Sequence, residues 1–207
     1  MLVVDKPAGL PALVDGYHAE APYLIGILQE KYDPLWVVHR LDKDTSGVIV
    51  FARTAEAHRA LNIQFESRQT EKVYHALVVG TPDWNEKVVR IPLRPDGDRR
   101  HRTVVDSRGG KPSVTGLRVL ECFQDHALVE AVPRTGRAHQ IRAHLAALGH
   151  PIAGDGLYGG GEVGGLGRMW LHACSLKLRH PITGEEMGFR APYPEDLERA
   201  IERLRSR

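Results

Sequence analysis

His39-Arg40-Leu41-Asp42-Lys43-Asp44-Thr45-Ser46-Gly47, running directly into Val48-Ile49-Val50-Phe51-Ala52, is the stretch on which the reading of this chain turns. The second half is a short apolar run rich in β-branched residues, the pattern of a buried strand. The first half places the Asp42 carboxylate between two basic side chains, His39 and Arg40, and a hydroxyl pair, Thr45 and Ser46. An acid on a tight loop against a core strand is held in place, as a nucleophile or general base must be. A nearby arginine keeps such a carboxylate ionised at neutral pH. His39, Arg40, Thr45 and Ser46 are the groups available to orient it through hydrogen bonds.

The 207 residues suit one domain or a tightly joined pair, and the 42% hydrophobic content suffices for a sizeable core. No apolar run is long enough to span a bilayer. Met1 to Lys6 lacks the basic start and long apolar stretch of a signal peptide, so a cytoplasmic location is expected. Cys122 and Cys174 lie far apart with no CxxC, which predicts a reducing compartment and buried thiols.

A formal net charge of +2 does not announce a polyanion partner, but its distribution does. Glu86 to Arg118 holds nine Lys/Arg against four Asp/Glu, and Arg134 to His144 holds three Arg, two His and no acid. A basic middle on an otherwise balanced chain fits a polyanion-binding face.

Leu2-Val3-Val4 reads as the end of a strand and Lys6-Pro7-Ala8-Gly9 as the turn behind it. Leu24 to Lys31 reads as a helix ended by Asp33-Pro34. Trp36-Val37-Val38 and Val48 to Ala52 are strands flanking the Asp42 loop. Thr54 is placed to cap a helix to about Ser67, with Ala57, Leu61 and Phe65 as its apolar stripe. Lys72 to Val79 is a strand whose alternation puts Tyr74, Ala76 and Val78 on one side. Val88 to Ile91, Thr103 to Val105, Leu117 to Cys122 and Ala127 to Val132 continue a β-rich middle. Ala138 to Leu148 reads as a helix, Trp170 to Leu178 as a strand, and Pro194 to Arg205 as a final amphipathic helix. Hairpin-length connections outnumber crossover helices, so the sheet is expected to be largely antiparallel.

Along the Ala138 to Leu148 helix, Ile141, Leu145 and Leu148 share the buried face. His139 and Arg142 fall on one shoulder; Arg137, Gln140 and His144 fall on the other. Both shoulders are expected to present polar groups, and the backbone N–H groups at Thr135-Gly136 suit a phosphate. His139 and His144 are five apart, not the four that would align two imidazoles for a metal. Gly159 to Gly164 formally matches GxGxxG but leads into a strand, so a dinucleotide reading fails its context.

These segments also carry a resemblance. Val4-Asp5-Lys6-Pro7-Ala8-Gly9-Leu10, the His39 to Gly47 stretch, Glu71 to Val78, Thr135 to Arg142 with Gly149 to Gly159, and Leu171-His172-Ala173 with His180-Pro181 resemble, in order, the motifs of the RluA-type RNA pseudouridine synthases. The resemblance implies an α+β fold: a bent, mostly antiparallel mixed sheet with flanking helices and a central catalytic cleft. It implies isomerisation of selected uridines in structured rRNA or tRNA, with no metal and no organic cofactor. By position Asp42 is the catalytic aspartate, Tyr74 stacks on the target uracil, and Arg142, in preference to Arg137, pairs with the aspartate. Arg40 resembles the arginine that enters the RNA as the base leaves. The remaining substrate- and RNA-contacting residues expected are His39, Thr45, Arg137, His139, Gln140, Ile141 and Leu171, with Arg99, Arg100, Arg102 and Lys111 in the basic loops.

A single catalytic domain over 1–207 is expected, acting as a monomer, without the S4 domain many relatives carry and with its N-terminal strand trimmed. The runner-up reading is a catalytically silent RNA-binding module of the same fold. A carboxylate-dependent hydrolase on a small substrate lacks a clear second carboxylate beyond Asp44.

Overall fold

The computed structural model describes residues 1–14, 20–163 and 165–206. In chain order the elements are β1 (Leu2–Lys6), α1 (Leu24–Tyr32), β2 (Trp36–Val37), β3 (Ser46–Ala52), α2 (Ala55–Glu66), β4 (Glu71–Val79), β5 (Glu86–Val89), β6 (Leu93–Arg94), β7 (Val104–Val105), β8 (Thr115–Cys122), β9 (His126–Pro133), α3 (Gln140–Ala147), β10 (Leu171–Arg179), β11 (Glu186–Arg190) and α4 (Glu195–Arg205). The architecture is α+β. Two compact units divide the chain: Met1–Lys72 with Ala173–Pro192, and Val73–His172 with the segment from Tyr193 onward.

In the first unit β3 is the hub, and all seven of its residues are buried. β1 pairs antiparallel with it from Leu2 opposite Phe51 to Lys6 opposite Gly47, and β2 adds Trp36 opposite Ala52. β10 neighbours β3, and β11 pairs antiparallel with β10. The helix α2 covers this sheet. Its Ala57, Leu61 and Phe65 pack with Val48, Val50, Leu176 and Leu178, the stripe read from the sequence. Thr54 caps it, with its side-chain oxygen accepting from the Ala57 N–H at 3.1 Å. Near the other end the Gln64 amide exchanges two hydrogen bonds with the Arg179 backbone, at 2.9 and 2.8 Å.

The second unit contains the antiparallel run β4-β9-β8-β5. Alternation sends Ala76, Val78, Val129 and Ala131 to one face, where Ile141 and Leu145 of α3 cover them. Leu77 and Leu128 join the other cluster, with Leu197, Ala200, Ile201 and Leu204 of α4. Those four α4 positions recur at helical spacing, so one apolar stripe is buried. Trp170 Nε1 donates to the Leu197 carbonyl at 3.1 Å, and Arg168 forks onto Asp196, fixing where α4 begins.

Three readings need correction. The helix expected from Ala138 starts at Gln140, because His139 has a left-handed φ of +51° and cannot continue a right-handed helix. Cys122 is exposed rather than buried, since it ends β8 at the turn into β9; Cys174 is half-buried. The strands β6 and β11 have no counterpart among the expected elements: one is two residues long and the other alternates around an exposed, polar sequence. No helix among the described residues is long and apolar enough to cross a membrane.

Candidate active site

In the first unit the Asp42 loop is built around a buried lysine. The Lys6 side chain is fully buried at the end of β1. Its ammonium donates to the carbonyl oxygens of Pro7 (2.8 Å), Leu10 (2.7 Å) and Lys43 (2.9 Å). The Gly9 N–H donates to the same Lys43 carbonyl at 2.9 Å. A buried cation is tolerated when charge-assisted hydrogen bonds replace its water. Here those bonds tie the turn after β1 to the loop that carries Asp42. The Thr45 N–H closes that loop onto the Asp42 carbonyl at 3.1 Å, and Thr45 and Ser46 are buried. Gly47 has φ +113°, and a Cβ there would lie 2.2 Å from the Ala173 carbonyl oxygen. Only glycine lets the loop enter β3 at this point. Asp42 itself is half-buried, with Arg40, Lys43 and Asp44 exposed around it.

His39 has a structural task at the start of the loop. Its Nε2 accepts a hydrogen bond from the Val50 N–H at 3.1 Å, and its ring stacks on Phe65 with centroids 4.6 Å apart. Burial first, and then the Lys72 cation, push the imidazole down to about 3. A neutral ring with Nε2 as acceptor carries its proton on Nδ1. His39 therefore fastens the start of the loop to β3.

In the second unit Arg142 stands at the centre of a polar cluster. Its Nε and Nη2 donate to the two Asp155 carboxylate oxygens at 2.7 and 2.9 Å, a planar fork in which the side chains are 10% and 2% exposed. The guanidinium also lies over the Tyr158 ring, 5.0 Å from its centroid. Asp155 further accepts from the Leu157 and Tyr158 N–H groups. The Tyr158 hydroxyl donates to the Thr103 carbonyl (3.1 Å) and accepts from the Thr103 N–H (2.9 Å). His139 Nδ1 lies 3.2 Å from the same hydroxyl. Burial, above all, pushes the Tyr158 phenol up, so it keeps the proton it donates. His139 and Arg142 thus share one shoulder of α3, as the helical wheel indicates.

The other shoulder is not a surface. Gln140 uses both ends of its amide inside the unit: Nε2 donates to the Val114 carbonyl and to Thr115 Oγ1, both at 3.0 Å, while Oε1 accepts from Thr135 Oγ1 (2.7 Å) and the Arg137 N–H (3.1 Å). Thr115 Oγ1 then meets His144 Nδ1 at 2.8 Å, and His144 Nε2 meets the Ile91 carbonyl at 3.0 Å. Since Ile91 can only accept, Nε2 carries the proton and Nδ1 accepts from Thr115. Burial lowers the His144 pKa and keeps this ring neutral. The Gln140 side-chain amide is therefore an internal strut, tying the start of α3 to Val114, Thr115 and Thr135. The Arg137 N–H is spent on Gln140; the Arg137 Nε is buried without a hydrogen-bond partner among the described residues. Ile141 and Leu171 are core residues, 6% and 4% exposed, packed with the β4 and β9 side chains. Tyr74 is half-buried against that same cluster, on the side of β4 shared with Ala76 and Val78.

The basic loops are held by two acids. Asp98 accepts from the Arg100 and Arg102 N–H groups and pairs with Arg102 Nε at 2.6 Å. Asp106 accepts from the Arg108 and Gly109 N–H groups and pairs with Arg94 at 2.8 Å. These bonds, the backbone ones foremost, hold both carboxyls below the usual range. Arg94 and Arg102 are thus partly neutralised. Arg99, Arg100 and Lys111 are exposed and have no acid partner among the described residues. Arg100 and Arg102 also reach the Gly156 and Leu157 carbonyls, at 3.4 and 3.3 Å.

Among the described residues no three His, Cys, Asp or Glu side chains group as metal ligands. The segment from Gly159 to Val163 opens no helix, and Gly164, which ends the formal GxGxxG, lies outside the described residues.

An aspartate presented on a loop around a buried lysine, and an arginine forked onto a second aspartate, sit in a chain with clear likenesses among known proteins. The family described as RNA pseudouridylate synthase matches residues 1–147. The ribosomal large subunit pseudouridine synthase C of Vibrio cholerae is 37% identical over 212 residues, covering 99% of this chain and 67% of that protein. The dual-specificity RNA pseudouridine synthase RluA of Escherichia coli K12 is 41% identical over 194 residues, covering 93% and 89%. The solved structure of human RNA pseudouridylate synthase domain containing 4 superposes with a TM-score of 0.79 at 31% identity, covering 98% of this chain and 89% of that one. The chain belongs to the RNA pseudouridylate synthase family. Its fold is the pseudouridine synthase fold, and its activity class is that of an isomerase acting on RNA.

Proposed function

We propose that this chain isomerises specific uridines of structured RNA, ribosomal or transfer, to pseudouridine, with Asp42 as the reacting carboxylate. The observation that supports this most is the Asp42 loop, pinned by the Lys6 ammonium and by the Gly47 approach to Ala173. Such fixing suits a group that must meet one sugar atom in one orientation. The reaction breaks the N-glycosidic bond, turns the uracil and joins its C5 to C1′. Asp42 either attacks C1′ or removes the C2′ proton to give a glycal; a primary isotope effect from deuterium at C2′ marks the second route. Tyr74, on the apolar face of β4, stacks on the uracil and retains it while it turns. Arg142 is the arginine assigned to serve the Asp42 carboxylate in the reaction. Arg40, exposed beside Asp42, enters the RNA as the base leaves. Extruding the uridine costs on the order of a few kcal/mol, which phosphate contacts from Arg99, Arg100, Arg102 and Lys111 offset. The protein acts as a monomeric catalytic domain in the cytoplasm, with no metal or organic cofactor.

The test is tritium release from total RNA labelled at uridine C5. Wild type releases it and Asp42→Asn does not. Equal release by both variants would remove Asp42 from the chemistry, and none from either would remove the reading itself.

A further inference from the structure

The cluster around Tyr158 joins two parts of the second unit that the proposed function uses separately. One is Arg142, held by Asp155 and the Tyr158 ring. The other is the basic segment 96–103, whose Thr103 backbone grips the Tyr158 hydroxyl in both directions and whose Arg100 and Arg102 rest on the Gly156 and Leu157 carbonyls. The four residues 155–158 touch both, alongside one direct bond from Thr103 Oγ1 to the Ala138 carbonyl at 2.7 Å. Asp96 and His101 hold left-handed φ values of +52° and +55°, so the segment sits in a conformation that local preference opposes. A phosphate is a stronger acceptor for an arginine than the backbone carbonyls at 3.3 and 3.4 Å. RNA that draws Arg100 and Arg102 off those carbonyls moves the segment, and Thr103 with it.

We propose that the 155–158 loop is a coupling element, and that Tyr158 is the positioning residue through which RNA contact at 96–103 sets the Arg142 guanidinium for reaction. The idea rests on the pseudouridine synthase reading and on Arg142 serving the aspartate. It explains why an arginine used in chemistry is held from behind by a tyrosine whose hydroxyl faces another loop.

Tyr158→Phe keeps the ring under Arg142 and removes only the bonds to Thr103 and His139. With C5-tritiated ribosomal and transfer RNA transcripts as probe, its single-turnover rate at saturating RNA should fall about tenfold or more, with Kd changed less than about threefold. Arg100→Ala with Arg102→Ala should lower both affinity and saturating rate in the wild-type background. Combined with Tyr158→Phe, the same pair should lower affinity alone, a non-additive cycle. Additive rate losses would overturn the proposal. A second readout does not need turnover: the Arg142 Nε–H resonance should shift when RNA is added to wild type and not when it is added to Tyr158→Phe. If that resonance ignores RNA in wild type, the coupling is wrong. If it shifts while no tritium is released, the coupling stands and the proposed chemistry fails.

Discussion

The Lys6 ammonium lies 2.9 Å from the carbonyl oxygen of Lys43, the residue that follows Asp42. One buried charge therefore connects the first strand to the candidate catalytic loop. Lys6→Met keeps much of the volume and leaves the Pro7, Leu10 and Lys43 carbonyls without this donor. A loss of about 2–4 kcal/mol in urea unfolding is expected. Tritium release should fall about tenfold or more even where the variant is fully folded, because a slight misplacement of a reacting group is expensive. Activity that stays at wild-type level in folded Lys6→Met would show that the loop holds itself.

Gly47 and Gly9 both have positive φ, yet they should respond differently to alanine. At Gly9 (φ +80°) nothing lies within 4 Å of an added Cβ, so the cost is conformational, about 1 kcal/mol. At Gly47 the Cβ would sit 2.2 Å from a backbone oxygen, so the Ser46-to-β3 entry must shift. Denaturant midpoints should show a loss of about 3 kcal/mol or more for Gly47→Ala. Equal midpoints for the two variants would contradict the close approach to Ala173.

His39 titrates near 6.5 in the unfolded chain and at about 3 when folded. The unfolded state therefore takes up the proton first as the pH falls. Stability from this residue is complete above about 6.5, declines between 6.5 and 3, and levels below. His144 and His75, also lowered by burial, add losses of the same sign. His39→Gln retains an acceptor for the Val50 N–H and removes the titration, so its melting temperature should fall less steeply from pH 6.5 to about 4. A slope unchanged from wild type would mean that the imidazole is not held neutral.

Thr115 links two larger polar side chains, accepting from Gln140 and donating to His144. Thr115→Val removes both bonds at nearly constant volume, and a loss of about 2–3 kcal/mol is expected from the stranded partners. RNA affinity and its salt dependence should hardly change. A large change in the salt slope would show that this network also takes part in RNA contact.

Charge reversal at Arg99 and Lys111, which no acid neutralises among the described residues, should weaken RNA binding. It should also flatten the salt dependence by about one unit for each phosphate left unneutralised. Reversal at Arg94, already paired with Asp106, should do less to binding and more to the local fold. Filter binding across a salt series distinguishes the two sets.

Where local rules dominate, the sequence reads clearly. Thr54 caps α2, the Ala57–Leu61–Phe65 stripe is buried, and Tyr74 shares a face with Ala76 and Val78. The shoulders of α3 mislead because a helical wheel knows only its own helix. Gln140 and His144 find their partners at Val114, Thr115 and Ile91, in segments no periodicity connects to them. Lys6 is visible as a motif residue but not as a buried one, since a lysine is ordinarily exposed and carbonyl partners distant in sequence help to make its burial tolerable. Asp155 lies within a recognisable motif, yet nothing in its spacing tells that it holds Arg142.

The rest of Gly47 against Ala173 also carries a consequence in time. During synthesis the Asp42 loop leaves the ribosome well before the strand whose backbone it touches. Until then the loop lacks the surface it leans on. The loop that carries Asp42 is thus translated before the backbone that supports it and takes its final shape only after it, so a nascent fragment that already displays basic residues holds no settled Asp42 loop.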